Sequence, residues 1–380
     1  MALSLKILSS LFLLSRSACL AQPSLSPVSL HYLGGYEIPF NQQFKGTTVG
    51  GLSGIDYDPA NDLYYLISDD RSAINPARFY TARIFLNTKG IDSVKLGEVH
   101  YLKQSDGHPY PGIKQNPAKA PDPEAIRYNL VLKKLVWTSE GERNLKATPP
   151  VMTNPSITTI DLNGKYIDEF PLASHLSMQQ GENGPRQNGT LEGLTFSDNY
   201  KVMYVSLEEP LHEDGARADL HENNAWVRLY KYDVATKKNV AQYAYRLEPV
   251  AYAPFPEKSF MVNGITDILA LGSNKLLIIE RSFSTGRLPC TVKVFIADLS
   301  TADNILATPS LLKAPPTRPA AKKLLLNMDD LGIYIDNIEG VTFGPTLPNG
   351  HKTLIFMADN NFNAFEKTQI LLFEVMEEEN

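Results

Sequence analysis

Cysteine is scarce in this sequence, since Cys19 and Cys290 are the only two among 380 residues. Residues 1–21 have the character of a secretory signal, with a positive charge at Lys6, a mostly apolar stretch and small residues near the cleavage position. We therefore expect a signal peptide at 1–21 and a single domain over 22–380. Removal of the signal would leave Cys290 alone, so no internal disulfide could form. We interpret Cys290 as a small core residue.

An excess of positive charge and long apolar runs are absent as well. The formal net charge is -6 at pH 7, which argues against a nucleic acid or an anionic membrane surface as the partner. After the N-terminal segment, no apolar stretch reaches the roughly 18 residues that a membrane-spanning helix requires. No stretch sustains the hydrophobic period of an amphipathic helix. The sequence favours a strand-rich globular protein, which we expect to be monomeric.

Familiar catalytic motifs are also missing. The segment Gly51–Ile55 reads G-L-S-G-I, with isoleucine where a nucleophile elbow needs its second glycine. No H-E-x-x-H motif occurs, and His212 and His221 lie in one charged loop without the spacing of zinc ligands. The stretch from Gly344 to Lys352 does not have the spacing of a phosphate-binding loop. These absences argue against a serine nucleophile, a zinc protease and a P-loop enzyme.

The sequence does contain a short phrase that returns five times, most clearly as L-E-G-L-T-F at Leu191–Phe196. Steps of 71, 68, 71 and 76 residues separate the equivalent hydrophobic residues of the five copies, which are Ile55, Ile126, Leu194, Ile265 and Val341. A near-constant period indicates one structural unit that is repeated along the chain.

Each repeat contains strand-like runs separated by short turns rich in Asp, Asn and Gly, such as Asp58–Asp62 and Ser197–Tyr200. Four-stranded antiparallel units repeated around an axis predict an all-β fold, a β-propeller of five four-stranded blades. The fifth repeat has only three runs. Ser29–Gly35 or Tyr36–Phe40 would supply its fourth strand and close the ring. A six-bladed ring stays open as an alternative, in case the long insertions hide a degenerate repeat.

The long connections are expected at one end of the propeller. One kind joins the fourth strand of a unit to the first strand of the next, as in Leu102–Asp122 and in Lys313–Pro319 with Met328–Asn337. The other kind joins the second strand of a unit to its third, as in Glu208–Ala225. In a four-stranded meander both kinds of connection lie at the same end. Binding and chemistry are therefore expected on this loop-rich face, with tight turns on the other.

Acidic residues recur where the first strand of each unit begins and where the second strand ends, both at the loop-rich face. We expect a ring of carboxylates around the channel mouth. The candidate metal ligands are Asp69, Asp70, Glu140, Glu192, Glu339 and Asp359. Glu124, Glu192 and Glu339 are the candidate catalytic acids. Calcium is the expected ion, because it takes six to eight oxygen ligands in flexible geometry.

Three arginines follow these acids in the sequence. Arg71, Arg143 and Arg281 are candidates for binding an anionic part of a substrate, since a guanidinium group holds carboxylates and phosphates in bidentate fashion. Two other interpretations stay open. The arginines can neutralise the acids in salt bridges, or the carboxylates can accept backbone N–H bonds that fix each blade to the next.

The same residues carry a resemblance to a known family. The segments concerned are Gly51–Tyr57, Ser68–Arg71, Asp122–Ile126, Ser139–Arg143, Glu192–Leu194 and Asn337–Val341. Together they resemble the phytase-like family of secreted proteins, described as having esterase-like activity, over about Gly50 to Val375. The resemblance implies a β-propeller, export and hydrolysis of phosphate or carboxylic esters. Well-characterised propeller phytases are calcium enzymes, but this chain has no run that matches their phosphate-binding lysines and arginines.

The leading prediction is an exported, calcium-dependent hydrolase that acts on a small ester or phosphoester through metal-activated water. The alternative is a non-catalytic propeller that holds a protein, a glycan or an envelope component on the same face, with a structural ion. A propeller oxidoreductase with an organic cofactor has little support in the sequence.

Overall fold

The computed structural model describes residues 25–87 and 90–377, so the predicted signal peptide at 1–21 lies outside the described residues. The described chain forms five four-stranded antiparallel sheets and two small two-stranded ones. Its helices are three short 3₁₀ turns, Ser174–Leu176, His212–Asp214 and Met328–Leu331, and none of the helices described could cross a membrane. The predicted five-bladed β-propeller is confirmed, and the six-bladed alternative is wrong.

The strands follow the order of the repeats. Before the first blade come β1 (Pro27–Ile38) and a small hairpin of β2 (Gln43–Phe44) and β3 (Thr47–Thr48). Blade 1 consists of β4 (Leu52–Asp58), β5 (Leu63–Ser68), β6 (Arg78–Asn87) and β7 (Gly90–Tyr101). Blade 2 consists of β8 (Pro123–Asn129), β9 (Lys134–Ser139), β12 (Ser156–Ile160) and β13 (Tyr166–Glu169). The loop that joins β9 to β12 contains a small hairpin of β10 (Glu142–Asn144) and β11 (Val151–Thr153).

The remaining blades continue this pattern. Blade 3 consists of β14 (Leu191–Ser197), β15 (Val202–Leu207), β16 (Trp226–Asp233) and β17 (Lys238–Arg246). Blade 4 consists of β18 (Met261–Gly272), β19 (Lys275–Ser284), β20 (Thr291–Asp298) and β21 (Ala321–Asn327). Blade 5 consists of β22 (Asn337–Phe343), β23 (Thr353–Asp359), β24 (Thr368–Glu377) and β1.

The ring closes through β1, which pairs antiparallel with β24 as the outer strand of blade 5. This strand covers most of both segments that the sequence offered for closure, so the predicted closure is confirmed. Leu25 and Leu30 are buried in the same hydrophobic cluster as Phe373 and Val375. Closure thus removes an exposed edge from β24 and buries apolar side chains from both ends of the described chain.

Burial along the strands explains why the blades pack as layers. The second strands are apolar on both faces, because each lies between two neighbouring blades; β23 (T-L-I-F-M-A-D) is buried throughout. The outer strand β7 instead alternates between more and less exposed positions. Cys290 is a free, buried thiol, as predicted, and burial raises its pKa to about 11.

One long connection differs from the prediction. Lys313–Pro319 was assigned to the link between blades 4 and 5, but it belongs to residues 299–320, which join β20 to β21. This segment runs along the outer edge of blade 3, where the N–H of Ile305 bonds to Gln242 and the N–H of Ala320 bonds to Ala244. It therefore covers the edge of β17, a function that the sequence pattern alone did not indicate.

The centre of the channel is crossed by Arg127, whose side chain is almost fully buried. Its Nη1 donates to the carbonyl of Ile55 in blade 1. Its Nη2 lies 2.6 Å from Asp267 Oδ2 in blade 4 and 3.1 Å from the carbonyl of Val341 in blade 5. One side chain of blade 2 thus connects three other blades; we call Arg127 and Asp267 the central ion pair.

Candidate metal and catalytic site

Carboxylates gather at the loop-rich face, where innermost strands begin and second strands end. We define the acid ring as Asp69, Asp122, Glu124, Glu140, Glu192, Glu208, Glu339 and Asp359. Its members come from all blades except blade 4. Blades 1, 2, 3 and 5 contribute them because the repeat places equivalent residues next to the channel, whereas blade 4 has Asn263 near the start of its first strand. Burial and then repulsion from neighbouring acids raise the pKa values of Asp69, Glu124, Glu140, Glu192 and Asp359, which shows that these members lie close together.

Two groups within the acid ring have the spacing of a metal site. Oxygens of Asp122, Glu124 and Glu140 lie within 4.8 Å of one another, and the same holds for Glu140, Glu192 and Glu208. Glu140 belongs to both groups and connects them. Because calcium–oxygen distances are about 2.3–2.6 Å, two oxygens on one ion lie no more than about 5 Å apart. The acid ring could therefore hold a metal ion.

Two buried acids lack partners, which is the most informative feature of the site. Asp359 is fully buried, and no side chain of the described residues bonds to either of its oxygens. Burial and the neighbouring Glu339 raise its pKa well above the ordinary range, and hydrogen bonding from the backbone N–H groups of Asn361 and Asn360, too poorly aligned to satisfy its oxygens, opposes that shift. Glu192 is 6% exposed, and among the described residues its carboxylate has no side-chain hydrogen bond or salt bridge; Arg281 attracts it from a longer distance, against burial and the repulsion of Glu140, Glu208 and Glu339. An uncompensated buried carboxylate is unfavourable by several kcal/mol, roughly. A bound cation would remove that penalty.

The pKa values of the ring's carboxyl groups are raised, as expected where acids outnumber the positive charges near them. Burial, followed by repulsion from neighbouring acids, holds the pKa values of Glu124, Glu140 and Glu192 well above their ordinary range. Burial also raises the pKa values of Asp122 and Glu339 to about 7, although Arg71 and Arg281 respectively oppose the shift. The ring thus has more negative charge than its own arginines compensate.

Two of the three predicted arginines lie in the ring. Arg281 Nη2 is 3.0 Å from Glu208 Oε1 and 3.6 Å from Glu339 Oε1. Arg71 Nη2 is 2.7 Å from Glu142 Oε2, and its Nε is 3.4 Å from Asp122. The Nε atoms of both arginines are buried without a hydrogen-bond partner in the described chain. The salt bridges that the sequence left open are therefore present, but they engage only part of the ring.

The third arginine, Arg143, points elsewhere. Its guanidinium donates to the backbone carbonyls of Gln179, Gln180 and Gly181, at 2.9–3.2 Å. It therefore holds a loop of the rich face, and none of its recorded bonds is to an acid of the ring.

Asp70 also differs from its neighbour Asp69. The two oxygens of Asp70 accept from the backbone N–H groups of Ala73, Ile74 and Asn75, and Oδ2 lies 2.7 Å from Arg78. With those bonds the Asp70 carboxylate is compensated inside blade 1, as the structural interpretation anticipated. Both aspartates follow the end of β5, and Asp69 lies with the ring acids, since burial and then repulsion from Asp359, Glu339 and Asp122 raise its pKa.

Two ring members were missed as predicted ligands. Asp122 comes directly before β8, and Glu208 follows β15 at the position that Glu140 occupies after β9. That equivalence was the available signal for Glu208. Glu209, the next residue, is buried with its Oε2 2.8 Å from Arg217, and burial raises its pKa to about 8.

The acid ring does not coincide with the cavity of about 490 Å³ found in the propeller, which opens on the opposite, tight-turn face. The central ion pair lies between them. We place the candidate catalytic site at the ring, because unpartnered buried charge indicates a missing ligand more directly than volume does.

The phytase-like family, described as "Esterase-like activity of phytase", matches residues 47–362. This match covers most of the chain and includes every member of the acid ring. The chain belongs to the phytase-like family. The resemblance inferred from the repeated segments is confirmed. No curated protein matches this phytase-like chain.

Solved structures are only distantly similar to the phytase-like chain. An exo-β-1,3-galactanase from Phanerochaete chrysosporium is 11% identical, with a TM-score of 0.43 over 89% of this chain and 64% of that one, less than two thirds of its length. An α-L-arabinofuranosidase from Lactobacillus brevis is 10% identical, with a TM-score of 0.44 over 86% and 91% of the two chains. The periplasmic gluconolactonase of Pseudomonas aeruginosa is 10% identical, with a TM-score of 0.38 over 93% and 99%. We draw no functional conclusion from similarity at this level.

Proposed function

We propose that this phytase-like protein is an exported, calcium-dependent hydrolase of esters or phosphoesters. The observation that carries the proposal is the pair of buried, unpartnered carboxylates, Asp359 and Glu192, in a ring that has oxygens at ligand spacing. The description of the family supports the reaction class. Residues 1–21 support export, and we expect the protein to act as a monomer.

The ring residues have distinct parts in this proposal. Glu140, shared by both groups, would hold the ion together with members of either group, and Asp69, Glu339 and Asp359 would complete the negative surroundings. Asp70 is left out, because Arg78 and backbone N–H groups already engage it. When bound, calcium supplies positive charge that polarises the scissile group and lowers the pKa of water.

The chain's own side chains would position the substrate and move the proton. Arg71 and Arg281 border the ring, and their partly exposed guanidinium groups can donate to an anionic oxygen of the substrate. Glu124 is surrounded by protein but keeps some solvent contact, and no recorded hydrogen bond engages its carboxylate. It is therefore suited to accept a proton from the attacking water. Arg281 and Asn337 orient Glu339.

Metal analysis of the purified protein, combined with hydrolysis assays on ester and phosphoester panels with and without chelator, tests the proposal. We expect bound calcium and loss of hydrolysis on chelation. Glu192→Gln should lower kcat/KM at least about tenfold because it removes a candidate ion ligand, and Asp359→Asn should lower it about tenfold because it removes a negative charge beside the ion. Glu98→Gln, which changes an exposed glutamate on β7, is the matched control.

Each other outcome has a defined meaning. Bound calcium without hydrolysis of any panel member would favour the non-catalytic propeller with a structural ion. Hydrolysis that survives chelation and both substitutions would rule out the acid ring as the catalytic site. Absence of both metal and activity would contradict the proposal altogether.

A further inference from the structure

The tight-turn face has a cavity of about 490 Å³ at the end of the channel opposite the acid ring. Its size is within the range of small-molecule sites, roughly 300–1,000 Å³. All five blades contribute to its walls, among them Tyr57, Tyr128, Phe196, Leu269 and Phe343. The reaction proposed above makes no use of this cavity.

Aromatic residues form a collar around the cavity, and the repeat phrase explains why. Two residues after the aligned hydrophobic position, four of the five repeats have an aromatic residue, and all four line the cavity: Tyr57, Tyr128, Phe196 and Phe343. In the remaining repeat, Asp267 stands two residues after the aligned Ile265. A β-bulge follows Ile265 in this strand, and Leu269 lines the cavity there instead of an aromatic residue. The rings therefore approach from four different blades.

A fifth aromatic residue is held at the cavity by an unusual turn. Asp198, Asn199 and Tyr200, between β14 and β15, all have left-handed backbone conformations, with φ of 51°, 53° and 64°. Such conformations are unfavourable for residues other than glycine, and they persist where the surroundings impose them. The turn brings Tyr200 to the cavity, with its ring centroid 5.7 Å from that of Phe196.

The floor of the cavity carries negative charge. Asp56 is partly exposed there; Oδ1 accepts from Thr342 Oγ1 at 3.0 Å, and Oδ2 accepts from the N–H of Tyr128 at 2.7 Å. These two donors are neutral, and burial raises the pKa of Asp56, whereas the positive charge of the nearby Arg127 opposes that shift. The nearby central ion pair balances its own charge, with 2.6 Å between Arg127 Nη2 and Asp267 Oδ2.

The other cation of the lining is Lys352, whose Nζ lies 3.8 Å from Glu377 Oε2, a carboxylate outside the lining. Asp198 also lines the cavity and adds a second carboxylate near its mouth. The cavity therefore combines several aromatic faces with two carboxylates, and each of the two cations in its lining, Arg127 and Lys352, has an acidic partner outside the lining.

We propose that this cavity binds a small organic cation of the quaternary ammonium class, with Asp56 as the counter-ion and the aromatic collar with Tyr200 as a cage. Aromatic faces attract a cation through their quadrupole, and the attraction grows when the cation is desolvated. A carboxylate at the floor adds direct charge complementarity. The site is separate from the acid ring and does not depend on hydrolase activity.

Calorimetric titration of the full-length protein with choline tests the proposal, with neutral 3,3-dimethyl-1-butanol as the isosteric control and glucose as a polyhydroxylated one. We expect choline to bind at least about tenfold more tightly than the isostere, the difference that cation–π attraction and one counter-ion can supply. Equal binding of the isostere, preferential binding of glucose, or no binding of choline would each overturn the proposal.

Substitutions identify the residues concerned. Asp56→Asn should weaken choline binding roughly tenfold, while its amide oxygen can still accept from the N–H of Tyr128 and its amide NH2 can donate to Thr342 Oγ1. Tyr200→Leu should weaken binding, whereas Tyr200→Phe, which keeps the aromatic face, should not. Asp92→Asn, on the outer strand of the same blade, is the matched control. Unchanged choline binding in both Asp56→Asn and Tyr200→Leu would refute the assignment, whatever the outcome for calcium at the acid ring.

Discussion

The central ion pair and the acid ring both contain buried carboxylates in the same channel, but the two places differ in the hydrogen-bond donors that these carboxylates receive. Asp267 receives Arg127 Nη2 at 2.6 Å, the N–H of Val341 at 2.9 Å and the N–H of Ile268 at 2.8 Å. Asp359 and Glu192 in the ring receive no comparable bond from the described chain. A carboxylate that serves the fold is supplied with donors by the fold itself. Asp359 and Glu192 are held close to other acids without such donors, which is the arrangement expected of a ligand site.

The largest effect should come from breaking the central ion pair. Arg127→Ala would leave Asp267 buried and unpaired and would remove the bonds to Ile55 and Val341, so we expect the free energy of unfolding to fall by about 3–5 kcal/mol. Urea unfolding measures the change. Arg83→Ala, which removes an exposed partner of Asp62, should cost less than about 1 kcal/mol. A loss below about 1 kcal/mol for Arg127→Ala would mean that the pair does not organise the channel.

Calcium binding at the acid ring should raise the free energy of unfolding by a somewhat smaller amount than breaking the central ion pair lowers it. At a free concentration 100 times its dissociation constant, a ligand bound only by the native state adds about 2.7 kcal/mol. We expect chelation to lower the melting temperature accordingly, in wild-type protein and in Arg83→Ala alike. A melting temperature that is indifferent to calcium would show that the ring's charge is compensated in another way.

The pH dependence of stability should separate the two systems. Carboxylates whose folded pKa is raised contribute stability below their unfolded pKa, and this stability is lost as pH rises through the folded pKa. In calcium-free protein, Asp122 and Glu339, with pKa values of about 7, should lower the free energy of unfolding by about 2 kcal/mol between pH 6 and 8. Asp267, with a pKa of about 6, should produce an earlier loss that calcium does not change.

Urea unfolding at several pH values, with and without calcium, measures both losses. Calcium should suppress the later one, because the bound ion favours the ionised acids. A stability that rises with pH in the calcium-free protein would contradict the assignment of repulsion within the ring.

The smallest expected effect is a change in stability when a ring acid is neutralised, and its sign shows whether the acid serves the fold or a ligand. Because Glu192 and Asp359 are uncompensated, Glu192→Gln and Asp359→Asn should raise the stability of calcium-free protein by about 1 kcal/mol while weakening the stabilisation by calcium. Most substitutions of buried charged groups destabilise. Melting curves of each variant with calcium and with chelator give both numbers, and Glu98→Gln should change neither. Destabilisation in both conditions would assign these two acids to the fold.

The sequence was sufficient to predict the architecture, because the period at Ile55, Ile126, Leu194, Ile265 and Val341 repeats one supersecondary unit. Closure by the N-terminal strand followed from the missing fourth run of the last repeat. The strap at 299–320 was not predictable, because its bonds to Gln242 and Ala244 join neighbouring blades and leave no periodic signal.

The sequence predicted on which face of the propeller the acids gather, but it did not predict which of the acids belong to the site. Strand ends put acids on one face, yet only the folded chain shows that Arg78 engages Asp70. Glu280, at the end of a second-strand run, is likewise engaged by Tyr245 and Lys322, which come from other strands. Which acids lack donors depends on long-range contacts, so no local pattern distinguishes Asp359 from Glu280.

Closure by β1 also bears on how the protein folds. The N–H of Ser26 bonds to Glu377 at a sequence separation of 351 residues. Blade 5 can therefore be completed only after nearly the whole chain is present, and contacts of such high order form slowly. Until then the edge of β24 stays open to pairing with other chains. The same strand that protects the finished ring thus makes its assembly intermediate the most aggregation-sensitive species, and the rate of ring closure would govern the yield of native protein.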